Sequence, residues 1–203
     1  MKRIFSIVIL FVFVLCISKS YAQNFNSGMK LGTNFTQVDG DNLGGYKKIG
    51  FTGGLFVNYN FDDRNAVQFE ILYSTKGSRS SLNIKSESYT DYQIRLNYID
   101  LPVLYSLEVM DKLRLETGLM PSVLIKGDEL INGGSEQAVE FKRLDLGYLI
   151  GATFLFSESF SITGRFSYSL LNIRKTDIND TMHSLLGRGQ FNNVISLTLN
   201  YHF

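Results

Sequence analysis

Two histidines, His183 and His202, are the only imidazoles in the 203-residue chain, and its single cysteine is Cys16. A hydrolytic or acyl-transfer site needs a base beside a hydroxyl nucleophile and a carboxylate that orients the base. His183 precedes Ser184 and follows Asp177 and Asp180, and this is the one grouping along the chain that meets the requirement; a solvated polar loop explains the same residues. His202 has no partner close in sequence. Asp39-Gly40-Asp41-Asn42 begins like a calcium loop, but Leu43 fills a ligand position and Gly50 stands where the closing glutamate belongs. The chain has no Walker-type loop, dinucleotide fingerprint, HExxH, CxxC or GxSxG. The reading is therefore a non-enzymatic protein, with no catalytic, metal or cofactor-binding set.

The remaining candidates are charges. Glu70, Arg95, Asp100, Arg114, Glu116, Arg143, Asp145 and Arg165 each fall on the polar side of a segment in which apolar and polar residues alternate. If those sides face a narrow, low-dielectric interior, arginines and carboxylates must pair there, because an unpaired buried charge is very costly. Glu70, Asp100, Glu116, Arg114 and Arg165 are expected in the lower and middle interior, with Arg95, Arg143 and Asp145 higher. The alternative is that the same groups line a selective pore.

The elements that would hold these charges are strands. A period of two recurs eight times from Phe25 onward, with almost no 3.6-residue periodicity. Phe25, Met29, Leu31, Thr33 and Phe35 alternate with polar residues and glycines, as do Ile49 to Phe61, Val67 to Tyr73, Leu113 to Ile125, Leu144 to Phe156, Phe160 to Leu170 and Phe191 to Phe203. In the fourth segment Tyr92, Ile94, Leu96 and Tyr98 are even-numbered, while Ile99, Leu101, Val103, Tyr105 and Leu107 are odd. If all of them face one way, an extra residue at Tyr98-Ile99 must be absorbed by a β-bulge. Links near 62–64, 109–111 and 157–159 are short, and those near 38–47, 77–90, 127–140 and 174–189 are long. Short turns on one rim and long polar loops on the other describe an all-β, eight-stranded antiparallel up-and-down barrel of the outer-membrane type.

The direction of the apolar side follows from charge and volume. In these registers no apolar-side position is Asp, Glu, Lys or Arg, although 19% of the chain is charged. The same side carries most of the 16 Phe and 11 Tyr, more aromatic volume than the interior of an eight-stranded barrel can take. It must look outward. Phe25, Tyr59, Phe61, Tyr105, Phe154, Phe156, Phe160, Tyr201 and Phe203 fall near the short turns, and Phe35, Phe51, Tyr73, Tyr92 and Tyr168 near the long loops, as two aromatic girdles around an aliphatic band would require. Glycines such as Gly118, Gly147 and Gly151 read as relief of crowding in a small barrel.

Residues 1–22 have a basic start at Lys2 and Arg3, an apolar run from Ile4 to Ile17 and Ser20-Tyr21-Ala22 before Gln23. That is the order of a secretory signal peptide, with residues 23–203 as the barrel domain. The run is too short to span a bilayer as a helix. Formal charge is +1, and removal of Lys2, Arg3 and Lys19 with the leader makes it −2, so there is no basic surplus to drive nucleic-acid binding.

The final segment, with Leu197, Leu199, Tyr201 and Phe203 alternating, resembles the C-terminal signal that outer-membrane assembly machinery reads on its barrel clients. More widely, LGTNFT at 31–36, GFTGGLFVNYNF at 50–61, LNYIDLPVLYSL at 96–107, GLMPSVLIKG at 118–127 and DLGYLIGATF at 145–154 resemble the PorT-like outer-membrane β-barrel family of Bacteroidetes. Ile99-Asp100-Leu101-Pro102 is the most specific piece. The resemblance implies an outer-membrane location, contact with outer-membrane lipids and lipopolysaccharide, a client relationship with the barrel-assembly machinery, and, for one branch, association with a secretion apparatus and other envelope proteins. It implies no activity. The expected roles are a structural or interaction barrel, then a narrow porin, and last a lipid A-modifying enzyme.

Overall fold

A chain that alternates oily and polar residues forms ribbons with two unlike faces, and a sheet made of such ribbons can close so that no edge is left unpaired. The computed structural model describes residues 24–41, 43–80, 92–131, 134–136, 140–174 and 189–203. Its strands are β1 (Phe25–Asp39), β2 (Lys48–Asn60), β3 (Asn65–Arg79), β4 (Tyr92–Asp100), β5 (Val103–Met110), β6 (Leu113–Ile131), β7 (Gly134–Glu136), β8 (Leu144–Leu155), β9 (Phe160–Ser169) and β10 (Phe191–His202). β4 and β5 form one stave, and β7 is a short flap on the end of β6. β1 pairs with β10 from Gly28↔His202 to Asp39↔Phe191, closing an eight-stranded antiparallel barrel. The leader expected over residues 1–22 and the His183 grouping lie outside the described residues.

The apolar face of the barrel points outward. Leu115, Ile162 and Leu197 are 46%, 40% and 49% exposed, while Glu116 and Arg165 on the opposite face are 4% and 6% exposed. Aromatic rings ring the short-turn end in mutual contact, with Phe25 on Tyr59 at 4.9 Å, Tyr59 on Phe61 at 5.3 Å and Phe160 on Tyr201 at 5.1 Å between centroids. Phe35, Phe51 and Tyr73 are exposed toward the other end. The short turns are closed locally: Asp62 Oδ1 accepts from the backbone N–H of Arg64 at 2.8 Å and of Asn65 at 2.7 Å. These donors and the Asn65 side-chain amide hold the Asp62 carboxyl below its usual range.

The fourth stave departs from expectation. Its register against β3 runs through without a shift, from Arg79↔Gln93 to Leu72↔Asp100 and on from Phe69↔Val103 to Asn65↔Leu107. No extra residue sits at Tyr98-Ile99. The extra residue is Ile125 on β6: Asn97 faces Lys126 but Tyr98 faces Leu124. Even-numbered residues therefore point inward along the whole stave, and Ile94, Leu96 and Tyr98, expected on the lipid side, are fully buried inside with Val38 and Ile173. Tyr92, expected in the outer girdle, packs against the same cluster. Where a stave turns polar residues outward, its apolar residues are favoured within, away from water. Two prolines flank the midpoint of the stave. Glu70 N–H donates to Pro102 O at 3.0 Å and Leu101 N–H to Pro121 O at 2.8 Å, and neither proline can return a bond.

Candidate functional site: a charge-filled lumen

Strand alternation alone delivers Lys30, Glu70, Glu116 and Arg165 to the lumen from four different staves, and all four are buried. Arg165 sits between two carboxylates. Its Nη1 and Nη2 donate to Glu70 Oε2 and Oε1 at 2.6 and 2.7 Å, a two-pronged arrangement, and its Nε donates to Glu116 Oε1. Lys30 Nζ meets Glu70 Oε1 at 2.7 Å and lies 5.3 Å from the centre of the Phe56 ring. Glu70 also accepts from the Gln68 amide. Two cations and two anions thus neutralise one another in the middle of the barrel, as burial demands. Gly151 makes the room: a Cβ there would fall 2.7 Å from Arg165 Cγ and 3.0 Å from Glu116 Oε1.

Above this quartet lies a second pair, Lys76 with Asp100 at 2.9 Å, and Lys76 Nζ stands 4.7 Å from the centre of the Tyr98 ring. Asp145 is held by neutral donors, accepting from Ser169 Oγ at 2.6 Å and Asn192 Nδ2 at 3.1 Å. Asn192 Nδ2 also reaches Tyr98 Oη at 3.4 Å, which joins the polar layer to the apolar cluster. At the short-turn mouth half-buried Arg114 pairs with Glu108 at 3.0 Å. At the far end Arg174 meets Glu129 at 2.8 Å and stacks over Phe141 at 5.1 Å.

Of the residues singled out from sequence, Glu70, Glu116 and Arg165 come together, Asp100 pairs with Lys76, Asp145 has hydroxyl and amide partners, and Arg114 sits apart at the mouth. Arg95 and Arg143 do not join them. Both are exposed, Arg95 because its stave keeps odd residues outside, and Arg143 because it lies at a bend just before β8. Lys30 and Lys76, which parity also puts on the polar side of their strands, and Gly151 belong to the lumen sites as firmly. His202, which has no neighbour in sequence, gains one in space: Ser161 Oγ lies 2.9 Å from its Nε2. Among the described residues no carboxylate hydrogen-bonds His202. Leu197, Leu199, Tyr201 and Phe203 all face outward and are exposed.

Among the described residues two small cavities flank the quartet. Below the quartet a cavity of about 20 Å³ is lined by Lys30, Asn58, Glu116 and His202, and above it another of about 20 Å³ by Lys76, Asp100 and Arg165. Each has room for roughly one water.

A closed barrel whose charges lie inside and whose oily wall lies outside is what a bilayer selects, and the family comparison agrees with it. The model of the outer membrane protein beta-barrel domain matches residues 21–175. The chain belongs to that family. Among solved structures, this outer-membrane β-barrel chain is similar to Ail, the attachment invasion locus protein of Yersinia pestis, in complex with the heparin analogue sucrose octasulfate, at 16% identity over 89% of this chain and 100% of Ail, with a TM-score of 0.52. It is also similar to Neisserial surface protein A, at 14% identity over 89% of this chain and 98% of that one, with a TM-score of 0.54. At these identities the likeness is one of fold. No curated protein matches the chain.

Proposed function

We propose that the protein is a non-conducting, non-enzymatic outer-membrane barrel that acts through the surfaces it presents, its long outer loops foremost, in the manner of the PorT-like branch of the family. The observation that carries this reading is the neutral quartet of Lys30, Glu70, Glu116 and Arg165. A selective pore keeps charges in contact with water and ions, whereas these are spent on one another. The apolar cluster of Val38, Ile94, Leu96, Tyr98 and Ile173 adds a second closure nearer the long loops. The PorT-like likeness is most specific at Ile99-Asp100-Leu101-Pro102, and one branch of that family is tied to a secretion apparatus. Residues 1–22 would act as a cleaved leader, and the outward row Leu197, Leu199, Tyr201 and Phe203 as the signal for barrel assembly.

Conductance tests this reading against that of a narrow porin. Purified protein in planar bilayers is expected to give no stepwise ion currents, and releasing the quartet by Arg165→Met is expected to leave the bilayer silent as long as the apolar cluster persists. Steady single-channel currents from the unaltered protein would replace the sealed-barrel reading with the porin one.

A further inference from the structure

The fourth stave and β6 carry charges where a membrane protein's wall should have none to spare. Arg95 is exposed on the outer side of β4, in the same outward row as Asn97 and Ile99. Lys126 would point into the lumen if β6 kept the even-inward parity of Glu116, Met120 and Ser122. The extra residue Ile125 turns it outward, and both Ile125 and the Lys126 side chain are exposed, at 60% and 66%. Re-aiming a side chain is a recognised use of a β-bulge. Arg95 lies opposite Asp128, and Lys126 opposite Asn97, so the two cations are diagonal neighbours, about 7–8 Å apart across the strands and somewhat less at their Cβ atoms. Arg143 is exposed on the adjoining segment, its carbonyl accepting from Leu124 N–H at 2.7 Å.

The height of these cations matters. The row Tyr73, Ile99, Val123 and Leu144 crosses neighbouring staves through paired positions and is exposed or half-exposed apolar wall. Arg95 stands four residues beyond Ile99, about 13 Å along the strand at a rise of about 3.3 Å per residue, and roughly 10 Å higher once a tilt of about 40° is allowed for. That is the step from an interfacial tyrosine to the headgroup layer. Among the described residues the counter-charges on this part of the wall are few. Half-buried Asp128 pairs with exposed Lys126 at 3.0 Å, a pair of the weak kind, and Arg95 donates to neutral Gln93 at 3.0 Å. Among the described residues Arg95, Lys126 and Asp128 leave this part of the wall with a surplus of one positive charge.

We propose that Arg95 and Lys126 form a binding site on the outer wall for the phosphate of an outer-leaflet lipid. The site rests on the outer-membrane reading and adds to it a fixed place and chemistry of lipid contact. Arg contributes a planar fork for phosphate oxygens and Lys a mobile point charge, and both approach from the side along which lipids pack.

The test uses the full chain in neutral phosphatidylcholine vesicles, with and without a bisphosphorylated lipid A, and with the same glycolipid dephosphorylated. Lipid retained on the folded protein is counted by native mass spectrometry. The unaltered chain is expected to retain the phosphorylated lipid in preference to the dephosphorylated one. R95Q/K126Q is expected to insert equally well into neutral vesicles and to bind the phosphorylated lipid about 30-fold more weakly, the equivalent of about 1 kcal/mol for each of two cations near an anionic surface. Equal retention by both proteins, or no preference for the phosphorylated lipid, would overturn the site while leaving the barrel reading intact. Displacement of the lipid by millimolar inorganic phosphate would make it a general anion site and overturn the lipid assignment. Failure of the unaltered chain to insert into any vesicle would overturn the membrane reading together with the site.

Discussion

The barrel is filled in two opposite ways along its axis. In its middle, ion pairs occupy the lumen while Leu115, Ile162 and Leu197 face out. Toward the long loops Val38, Ile94, Leu96, Tyr98 and Ile173 occupy the lumen while Arg95, Asn97 and Lys126 face out. Along β4 and β6 the sheet is thus inside-out in its middle and closer to a water-soluble barrel toward the long loops. The solvent around the wall decides which residues the lumen receives: hydrocarbon outside sends charges inward, where they must pair, and water outside sends apolar groups inward. The inversion is made with little machinery, since β4 keeps its phase and merely exchanges the residue types on its faces, while β6 inserts Ile125.

Breaking the charged layer should cost most. Arg165→Met leaves Glu116 without its cation and Glu70 with Lys30 alone, and a loss of about 4 kcal/mol is expected from removing one partner of a buried pair. Urea unfolding in vesicles, followed by heat-modifiable gel mobility, measures it. The double variant Arg165→Met/Glu116→Gln should recover part of that loss, because the stranded carboxylate is gone. A full-cost double variant would mean that the two residues are not coupled.

The apolar layer should respond as a protein core does. Leu96→Ala is expected to lose about 3 kcal/mol in the same assay, and Leu197→Ala on the membrane wall much less, since lipid chains can fill the gap and are as apolar as leucine. Equal losses at the two positions would erase the distinction between core and wall. Below the Leu96 loss comes the effect at the quartet's edge: Gly151→Ala should cost about 2 kcal/mol by overpacking, since its Cβ would also meet Gly164 O at 2.8 Å. Double substitution with Glu116→Gln would not relieve that backbone contact.

Much of this was readable in the alternation. Leu115, Ile162 and Leu197 were placed on the wall and Glu70, Glu116 and Arg165 in the lumen by parity alone, because at membrane height apolarity and outward direction coincide. What parity could not supply was the partner of each charge, since Arg165 meets Glu70 and Glu116 across separations of 95 and 49 residues that are bridged only when the sheet closes. The fourth stave departs from the alternation rule for a physical reason. Ile94, Leu96 and Tyr98 are as apolar as their lipid-facing counterparts, and sequence does not state at which residue the surrounding solvent changes from hydrocarbon to water. Apolarity alone would put a bulge on β4 and Arg95 in the lumen, whereas the extra residue lies on β6. Arg143 lies at a bend where alternation has not yet begun.

The inversion itself can be measured by spin-label accessibility in vesicles, with single cysteines introduced into a chain whose only native cysteine is Cys16. Leu119→Cys should be reached by oxygen dissolved in the bilayer, Arg95→Cys by a water-soluble nickel chelate, and Ile94→Cys by neither. A label at position 94 that oxygen reaches, with one at position 95 shielded from both reagents, would restore the unbroken apolar wall and contradict the two-layer account.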